Sequence, residues 1–350
     1  MARANAIRRT LLTALLAAGV VAHALAQTVP PETDAVAPAP VAPPPIDPAI
    51  AERILALDPE RISPEDVREL LAKAPAPRII CLQGSVALVT MQPFAEFLIA
   101  MGYPEVRLRH PVDGSLSQSS FADSEKLAGM LAWYYEHEGM MPMLIGHSQG
   151  GMLTMKVLYE LVGEFNSAIP VWNPLTDASE HRSTVTDPLD GTQRPVVGLK
   201  VPYAAALATG RLLRILFGQW EMVKRLRAVP DSVSEFTGFI IEWDPIALFG
   251  SEPYHAIGEA KVRTVRLPAS TSHIGMPLAK ELAQNPITRE WIDRYRPDES
   301  AAPPAPAGID TSNIVHAADI WYSVKKQWCL EAQKWLRARQ HGDVAKSAGG

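Results

Sequence analysis

The stretch Met141-Pro-Met-Leu-Ile-Gly-His-Ser-Gln-Gly-Gly-Met152 combines three local patterns in one short segment. Residues 143–145 are a brief apolar run, which is typical of a buried strand. A turn containing glycines follows at once, and residues 152–161 then place apolar side chains at helical spacing. The stretch therefore predicts a strand, a sharp turn and a helix, with Ser148 at the apex of the turn.

Gly146 and Gly150 flank this serine in a G-x-S-x-G pattern. We expect a side chain at either glycine to collide with the neighbouring strand and helix, and the backbone of Ser148 to be strained. Such a turn lifts the serine hydroxyl out at the carboxyl end of a sheet, in front of a helix N-terminus. This is the layout of a nucleophile elbow. An ordinary glycine-rich turn is the alternative interpretation.

With this motif the chain resembles the α/β-hydrolase superfamily, in its lipase and esterase branch, over roughly residues 75–300. The resemblance implies an α/β-hydrolase fold, which is a mostly parallel sheet flanked by helices. It also implies a helical cap or lid insertion, at about residues 174–235, within a catalytic domain of residues 47–300. Because one fold supports many activities, function has to be inferred from the residues of the site.

Apolar and alternating runs predict the order of the sheet. Residues 78–84 form a continuous apolar run that ends in Gln83-Gly84. Residues 105–109 alternate and are predicted as the next strand, and a further strand is expected at residues 168–172. Strands that alternate with helices, such as the amphipathic segment 124–138, indicate a parallel sheet with right-handed crossovers.

The chain changes in character after the elbow helix. Residues 176–194 are polar and rich in turn-forming residues, and we interpret them as an excursion over the active site. Residues 201–229 carry apolar and basic side chains that indicate one or two amphipathic helices, where the resembling family has its cap. Two interpretations stay open: a fixed cap whose apolar face is core, which we favour, and a mobile lid that makes transient contact with a lipid or membrane surface.

A serine nucleophile needs a base and a group that orients the base. In the resembling family the acid and then the histidine follow the serine along the chain. The predicted strand 237–244 ends in two acids, of which Asp244 precedes a proline and is the favoured acid, with Glu242 as the alternative. His273 follows the last predicted strand, residues 261–267, and is the predicted base.

Two backbone N–H groups are expected to form an oxyanion hole. The N–H of Gln149, directly after the predicted nucleophile, is one of them. The resemblance places the second in the loop after residues 78–84, on Ser85 or Val86, and the pattern does not distinguish these two. His147 adjoins the nucleophile in sequence, but its side chain is expected to point away from the serine hydroxyl. The predicted chemistry uses no metal and no organic cofactor.

Residues 1–26 have the features of a signal peptide. A basic start precedes an uncharged apolar run, residues 11–22, and then Ala24-Leu25-Ala26, a small-x-small cleavage site. A membrane anchor is the alternative, although the run is short for a span. The signal predicts export by a bacterium, so that the protein is periplasmic or secreted. Residues 27–46 are rich in Pro and Ala and are predicted to be an extended linker.

A second Pro- and Ala-rich stretch opens the C-terminal segment, residues 301–350. A long helix is predicted at residues 312–339, where three tryptophans recur at heptad spacing: Trp321, Trp328 and Trp335. Docking of this tryptophan face on the catalytic domain is favoured over a dimer helix or an interfacial helix. Cys81 and Cys329 are either a disulfide or two separate buried thiols.

Together these motifs predict a secreted serine hydrolase that cleaves carboxylic esters, of small molecules or lipids, through an acyl-enzyme intermediate. An amidase or an acyltransferase would use the same triad, and a non-catalytic binding protein of this fold would be expected to lack one of its members. The net charge of -5 gives no reason to expect a nucleic-acid partner. The acyl-chain length and the oligomeric state stay open.

Overall fold

The computed structural model describes residues 46–86, 88–210, 220–247, 252–299 and 302–348. In chain order, the strands of these segments are β1 (Ile79–Leu82), β2 (Met143–His147), β3 (Trp172–Asn173), β4 (Ala178–Ser179), β5 (Thr184–Thr186), β6 (Gln193–Pro195), β7 (Val201–Leu207), β8 (Ala228–Val229), β9 (Val233–Ile241), β10 (His255–Ala256) and β11 (Lys261–Leu267). The α-helices are α1 (Pro48–Leu55), α2 (Pro64–Glu69), α3 (Gln92–Met101), α4 (Ser124–Glu138), α5 (Gln149–Leu161), α6 (Lys280–Gln284), α7 (Pro286–Arg294) and α8 (Ile314–Ala348). Short 3₁₀ turns lie at Pro59–Arg61, Leu71–Lys73, Glu105–Arg107 and Trp220–Met222.

The central sheet has five strands in the order β1-β2-β7-β9-β11, and every neighbouring pair is parallel. The register places Ile79 beside Met143 and Leu144 beside Ala204. Because all five strands run in one direction, their carboxyl ends meet at the same edge. The predicted α/β class, with a parallel central sheet flanked by helices, is confirmed.

Successive side chains of the strands pack on opposite faces of the sheet. On one face, side chains of the strands lie with α3 and α8: Ile79, Cys81, Ile145, Tyr203 and Phe239. On the other face, the alternating side chains lie with α4 and α5: Ile80, Leu82, Leu144, Ala204 and Phe236. Helices thus cover both faces, which explains why β1, β2 and β7 are largely continuous apolar runs rather than alternating ones.

Strand β7 corrects the helical prediction for residues 201–229. Residues 201–207 of this range form β7, a central strand between β2 and β9, and all residues of β7 are buried. Complete burial removes the alternation that marks a half-exposed strand, and alanines in isolation favour a helix. The alanines fit the sheet because α5 packs closely on it: a Cβ added to Gly151 would lie 3.2 Å from the Cβ of Ala206.

The remainder of the predicted cap is not helical where the structure describes it. Residues 220–222 form a single 3₁₀ turn, and β8 follows shortly before β9. The preceding part of the predicted cap, residues 211–219, lies outside the described residues. Within the described part of residues 174–235, short strands and turns replace the predicted amphipathic cap helices.

The polar excursion, residues 176–194, runs along α4 instead of over the serine turn. Its short strands form two antiparallel pairs, β3 with β4 and β5 with β6. Three pairs of side chains join it to α4: Lys126 with Asp177, Trp133 with Glu180, and Glu136 with Arg182. These contacts connect elements far apart in sequence, so local turn propensity did not indicate where the excursion lies.

Two predicted strands are absent from the central sheet. Residues 168–172 cross α4 at Gly129, where an added Cβ would lie 2.2 Å from the carbonyl oxygen of Pro170. Pro170 has no N–H group to donate to a neighbouring strand, so its presence argues against a central strand at residues 168–172. Residues 105–109 instead contain the 3₁₀ turn Glu105–Arg107, and Nε of Arg109 donates to Oε1 of Glu105 at 2.7 Å. The position beside β1 is taken by Gln118, which bridges to Leu82.

Helix α8 is part of the core rather than a separate tail. Trp321 and Trp328 are fully buried on the α3 side of the sheet. Trp335 is buried with Ile54 of α1 and with Met140. The helix therefore docks along its tryptophan face, as expected, and it extends beyond its predicted end to Ala348.

Cys81 and Cys329 are free thiols, buried in the same core. Burial raises the pKa of each thiol to about 12, so both stay protonated at neutral pH. The structure therefore agrees with two separate buried thiols and not with a disulfide.

Replacing Trp328 by alanine tests how much the docked helix stabilises the domain. Because the buried indole fills space between α8 and the sheet, we expect Trp328→Ala to lower the free energy of unfolding by about 3–5 kcal/mol. Leu330→Ala on the same helix is the control, since Leu330 is 37% exposed, and its expected loss is about 1 kcal/mol or less. Urea unfolding followed by circular dichroism measures both. Similar small losses in the two variants would contradict the docking of α8 as a core element.

No helix within the described ranges is long and apolar enough to span a membrane. The predicted signal peptide and the linker up to residue 45 lie outside the described residues.

Candidate active site

The residues predicted for the site meet at the carboxyl edge of the central sheet. Strand β2 ends at His147, and Ser148 follows directly. Asp244 lies in the loop after β9, and His273 in the loop of residues 268–279 between β11 and α6. Parallel strands bring these three loops to one edge, although they are far apart along the chain.

The predicted strand, turn and helix around Ser148 are confirmed as β2 and α5. Ser148 has φ 53° and ψ −114°, a backbone conformation that is strained for a residue with a side chain. Its N–H donates to the carbonyl oxygen of Leu207 at 2.7 Å, which holds the turn against β7. A Cβ added to Gly146 would lie 2.3 Å from the carbonyl oxygen of Gly150. A Cβ added to Gly150 would lie 2.1 Å from the carbonyl oxygen of Leu82. Both glycines are therefore required by close approach of the backbone.

His273 and Asp244 form a buried pair. The Nδ1–H group of His273 donates to Oδ2 of Asp244 at 2.6 Å, and the two side chains are 5% and 7% exposed. The N–H groups of Ile246 and Ala247 donate to the other carboxylate oxygen of Asp244. Burial alone would raise the pKa of Asp244, but the bond from His273 and these two backbone donors outweigh it and lower the pKa. Asp244 is thus an ionised acceptor that holds Nδ1 of His273 protonated.

Among the hydrogen bonds and ion pairs of the described residues, His273 pairs with Asp244 and not with Glu242, the alternative acid. Glu242 is exposed. Its backbone N–H donates to the carbonyl oxygen of Leu267, which extends the hydrogen bonding between β9 and β11 by one residue. Of the two acids considered, the geometry therefore pairs Asp244 with the histidine.

Ser148 and His273 are 6% and 7% exposed. His147, which directly precedes Ser148 in the chain, links the two residues, because its ring centroid lies 5.1 Å from that of His273. Among the contacts of the described residues, Ser148 Oγ makes no hydrogen bond to the His273 ring. Bonds between nucleophile and base are often long without substrate and shorten when substrate binds.

The loop after β1 packs directly on the serine turn. An added Cβ at Gly84 would lie 3.4 Å from the Cβ of Ser148. In the described chain, the N–H groups of Ser85 and Val86 have no protein acceptor. Gln149 is the first residue of α5, so its N–H lies at the helix N-terminus beside Ser148. Gln149 thus adjoins the serine, and the loop that carries the alternatives Ser85 and Val86 packs on the serine turn through Gly84.

Two serines that the sequence analysis did not single out support this loop. Ser120 Oγ donates to the carbonyl oxygen of Gly84 at 3.2 Å, and Ser117 Oγ donates to the side-chain oxygen of Gln83 at 2.9 Å. Both come from the segment that replaces a strand beside β1. They lie in a serine-rich stretch, residues 115–120, that has no motif to distinguish it from an ordinary loop.

His147 has a structural contact that its position in the motif did not predict. Nε2 of its side chain donates to the carbonyl oxygen of His273 at 2.8 Å. Burial, together with the nearby charge of His273, lowers the pKa of His147 to about 3. The ring is therefore neutral near pH 7, with its proton on the nitrogen that faces the carbonyl.

The lowered pKa of His147 makes the domain less stable in acid. Between its ordinary pKa, near 6.5, and about 3, the unfolded chain binds a proton at this residue that the folded chain does not. Stability therefore falls as the pH decreases through this window, by about 2 kcal/mol between pH 6.5 and 5. We expect His147→Gln to lose about 2 kcal/mol less than wild type over that interval in urea unfolding. The variant His181→Gln, at an exposed position, is the control and should lose as much as wild type. Equal losses in all three proteins would contradict a buried neutral His147.

Fold and site together define an α/β protein with a strained serine, a buried histidine–aspartate pair and backbone N–H groups at one sheet edge. No family model matches the chain, and no curated protein matches it. One solved structure, described as RedJ with a PEG molecule bound in the active site, matches at 15% identity. The match covers 64% of this chain and 91% of that one, with a TM-score of 0.28, which is too low to support an argument about fold or function.

Proposed function

We propose that this protein is a serine hydrolase of the α/β-hydrolase fold that cleaves carboxylic esters. One observation carries the proposal: Ser148 lies in a strained turn at the sheet edge, beside a buried His273–Asp244 pair. A strained serine at a helix N-terminus next to an oriented imidazole is the arrangement that acyl transfer requires. The order of serine, acid and histidine along the chain supports the same assignment.

In the proposed first step, Ser148 Oγ attacks the ester carbonyl carbon and its proton passes to Nε2 of His273. This nitrogen is free to accept because Nδ1 carries the proton that is bound to Asp244. The ionised carboxylate of Asp244 then stabilises the imidazolium. The N–H groups of Gln149 and of Ser85 or Val86 bind the oxyanion that forms.

In the second step, His273 returns the proton to the leaving alcohol as the carbon–oxygen bond of the tetrahedral intermediate breaks. The acyl group stays on Ser148 as an ester. A water molecule then gives a proton to His273 and attacks the acyl carbon, and breakdown of the second tetrahedral intermediate releases the acid and restores Ser148. The same donors bind the oxyanion in both halves of the reaction.

Apolar side chains next to the site residues support a substrate with an apolar portion. Val86, Trp243 and Ile274 are 53%, 78% and 53% exposed. Each adjoins a proposed site residue in sequence. Removal of an acyl chain from water onto such side chains is favourable, at about 0.8 kcal/mol for each fully buried methylene. Export to the periplasm or the medium, as the N-terminal residues predict, belongs to the same proposal.

A chain-length series of p-nitrophenyl acyl esters, combined with a fluorophosphonate probe, tests the proposal. We expect turnover of the esters, with kcat/KM rising by about tenfold from the acetyl to the hexanoyl ester because of partial burial of the longer chain. The fluorophosphonate should stop turnover and add its phosphonyl group to the peptide that carries Ser148, as read by mass spectrometry. No turnover across the series and no labelled peptide would overturn the proposal.

A further inference from the structure

The loop that carries His273 is held by buried side chains from outside it. Three side chains donate to four of its carbonyl oxygens: His147 Nε2 to His273 at 2.8 Å, Asn313 Nδ2 to Gly275 at 2.8 Å and to Leu278 at 2.9 Å, and His316 Nε2 to Met276 at 2.9 Å. Two of the donors, Asn313 and His316, come from the start of α8. The C-terminal helix thus reaches the loop of the proposed base.

The two histidines are fixed as neutral donors. A carbonyl oxygen only accepts hydrogen bonds, so the ring nitrogen that faces it must carry a proton. Burial lowers the pKa of His316 to about 4. Burial also lowers the pKa of His147, to about 3, and the neighbouring His273 contributes a smaller part of that shift. Near pH 7 each ring therefore has one proton, on Nε2, and the direction of these bonds does not change.

The ring of His316 is also fixed by the elements around it. It stacks on Phe94 of α3, with ring centroids 6.3 Å apart, and meets the edge of Phe239 at 6.0 Å. Phe239 belongs to β9, the strand that leads to Asp244. The start of α8, the loop of His273 and the strand of the acid therefore meet at one buried imidazole.

Stability alone does not favour these three side chains. Nδ1 of His147, Nδ1 of His316 and Oδ1 of Asn313 are buried without a protein hydrogen-bond partner in the described chain. Each buried polar atom without a partner destabilises the folded state. An apolar side chain of similar size would avoid that cost, but it would leave the loop carbonyls without donors. Such local departures from a stable core are expected near functional sites.

We propose that Asn313 and His316, together with His147, are positioning residues that set the location of His273 relative to Ser148. This inference rests on the proposed function. The three donors hold the carbonyl oxygen of His273 itself and three carbonyl oxygens that follow it in the loop, so this part of the loop cannot shift without breaking them. A displacement of the base by about 1 Å is enough to lower the rate by about a hundredfold.

Asn313→Ala and a donor-matched pair at His316 test the proposal in the full chain. We expect Asn313→Ala and His316→Leu each to lower kcat on a p-nitrophenyl ester by about 10- to 100-fold, with KM within about threefold of wild type. His316→Gln places an amide donor near the position of Nε2 and should recover kcat to within about fivefold of wild type. The His316 pair gives the answer independently if Asn313→Ala does not fold.

Gln333→Ala is the matched control. Gln333 is a buried residue of α8 that also donates to two carbonyl oxygens, those of Ile54 and Leu57, but it lies near the middle of the helix, away from the loop of His273. It should lower the unfolding temperature as Asn313→Ala does and leave kcat within about twofold of wild type. A purely structural role would instead give equal kcat losses in Asn313→Ala and Gln333→Ala, or in His316→Leu and His316→Gln. Either result would overturn the proposal.

A spectroscopic measurement separates this inference from the proposed function. The Nδ1 proton of His273, hydrogen-bonded to Asp244, should give a far-downfield proton resonance that disappears in Asp244→Asn. We expect Asn313→Ala and His316→Leu to shift or broaden this resonance, and Gln333→Ala to leave it unchanged. These shifts would support positioning even if wild type were inactive on esters and unlabelled by fluorophosphonate. An unchanged resonance in Asn313→Ala and His316→Leu would overturn the positioning role even if esters were cleaved.

Discussion

Ser148→Ala is expected to lower kcat for ester hydrolysis by about 10⁵-fold or more, with little change in unfolding temperature. The methyl group of alanine occupies the place of the serine Cβ, so the strained turn and its contacts with β7 and Gly84 are kept. The hydroxyl that would form the acyl-enzyme is lost, and the remaining acceleration would come from the oxyanion donors alone. Steady-state turnover of the preferred p-nitrophenyl ester measures the effect, with thermal unfolding measured on the same samples.

Ser119→Ala is the control for this substitution. Ser119 is exposed, lies in the loop beside Gly84, and uses its hydroxyl oxygen to accept the N–H of Phe121. Its loss should leave kcat within about twofold of wild type, as for most exposed sites. If Ser148→Ala kept more than about a tenth of wild-type kcat, Ser148 would not be the nucleophile.

The second large effect is expected at the acid. Asp244→Asn should lower kcat by about 10³- to 10⁴-fold, because an amide no longer stabilises the imidazolium and can hold His273 in the wrong tautomer. The backbone donors at Ile246 and Ala247 can still bond to the amide oxygen, so the loop should keep its conformation. The loss should appear in kcat far more than in KM, since the carboxylate acts on the base and not on the substrate.

Glu242→Gln is the matched substitution for this comparison. It makes the same change from carboxylate to amide two residues earlier, on an exposed side chain that does not contact His273. We expect its kcat to stay within about threefold of wild type. A larger loss in Glu242→Gln than in Asp244→Asn would show that the acid had been assigned to the wrong residue.

The serine turn could be predicted because the pattern that marks it is contiguous in sequence. An apolar run, a turn and a helical pattern are contiguous in residues 141–161, and close backbone approach explains both glycines. The positive φ of Ser148 follows from the same short segment. Short-range sterics act within a few residues, so they can be predicted from the sequence.

The acid was less certain from the sequence. Strand β9 ends at Ile241, so Glu242 and Asp244 both lie beyond it, and neither alternation nor position in the strand selects between them. In the structure, the short distance from Asp244 to His273 identifies Asp244 as the partner of the histidine. The packing of β9 beside β11 determines that distance, and the residues near Asp244 do not.

The helical prediction for residues 201–207 was wrong for the same kind of reason. The apolar run with three alanines in β7 is compatible with a buried strand or a helix, and periodicity does not separate them when both faces are covered. Insertion between β2 and β9, with the close approach of α5, decides in favour of a strand. The excursion along α4 likewise depends on side-chain pairs between distant segments.

By itself the sequence determined the α/β class, the serine turn, and the order of serine, acid and histidine, because these follow from local periodicity and chain order. Only the tertiary structure decided that β7 is a central strand, that Asp244 rather than Glu242 meets His273, and that Asn313 and His316 hold the loop of His273. The bonds from α8 join residues 35 to 40 positions apart. Such contacts have no local pattern, because they form only when helix and sheet are packed together.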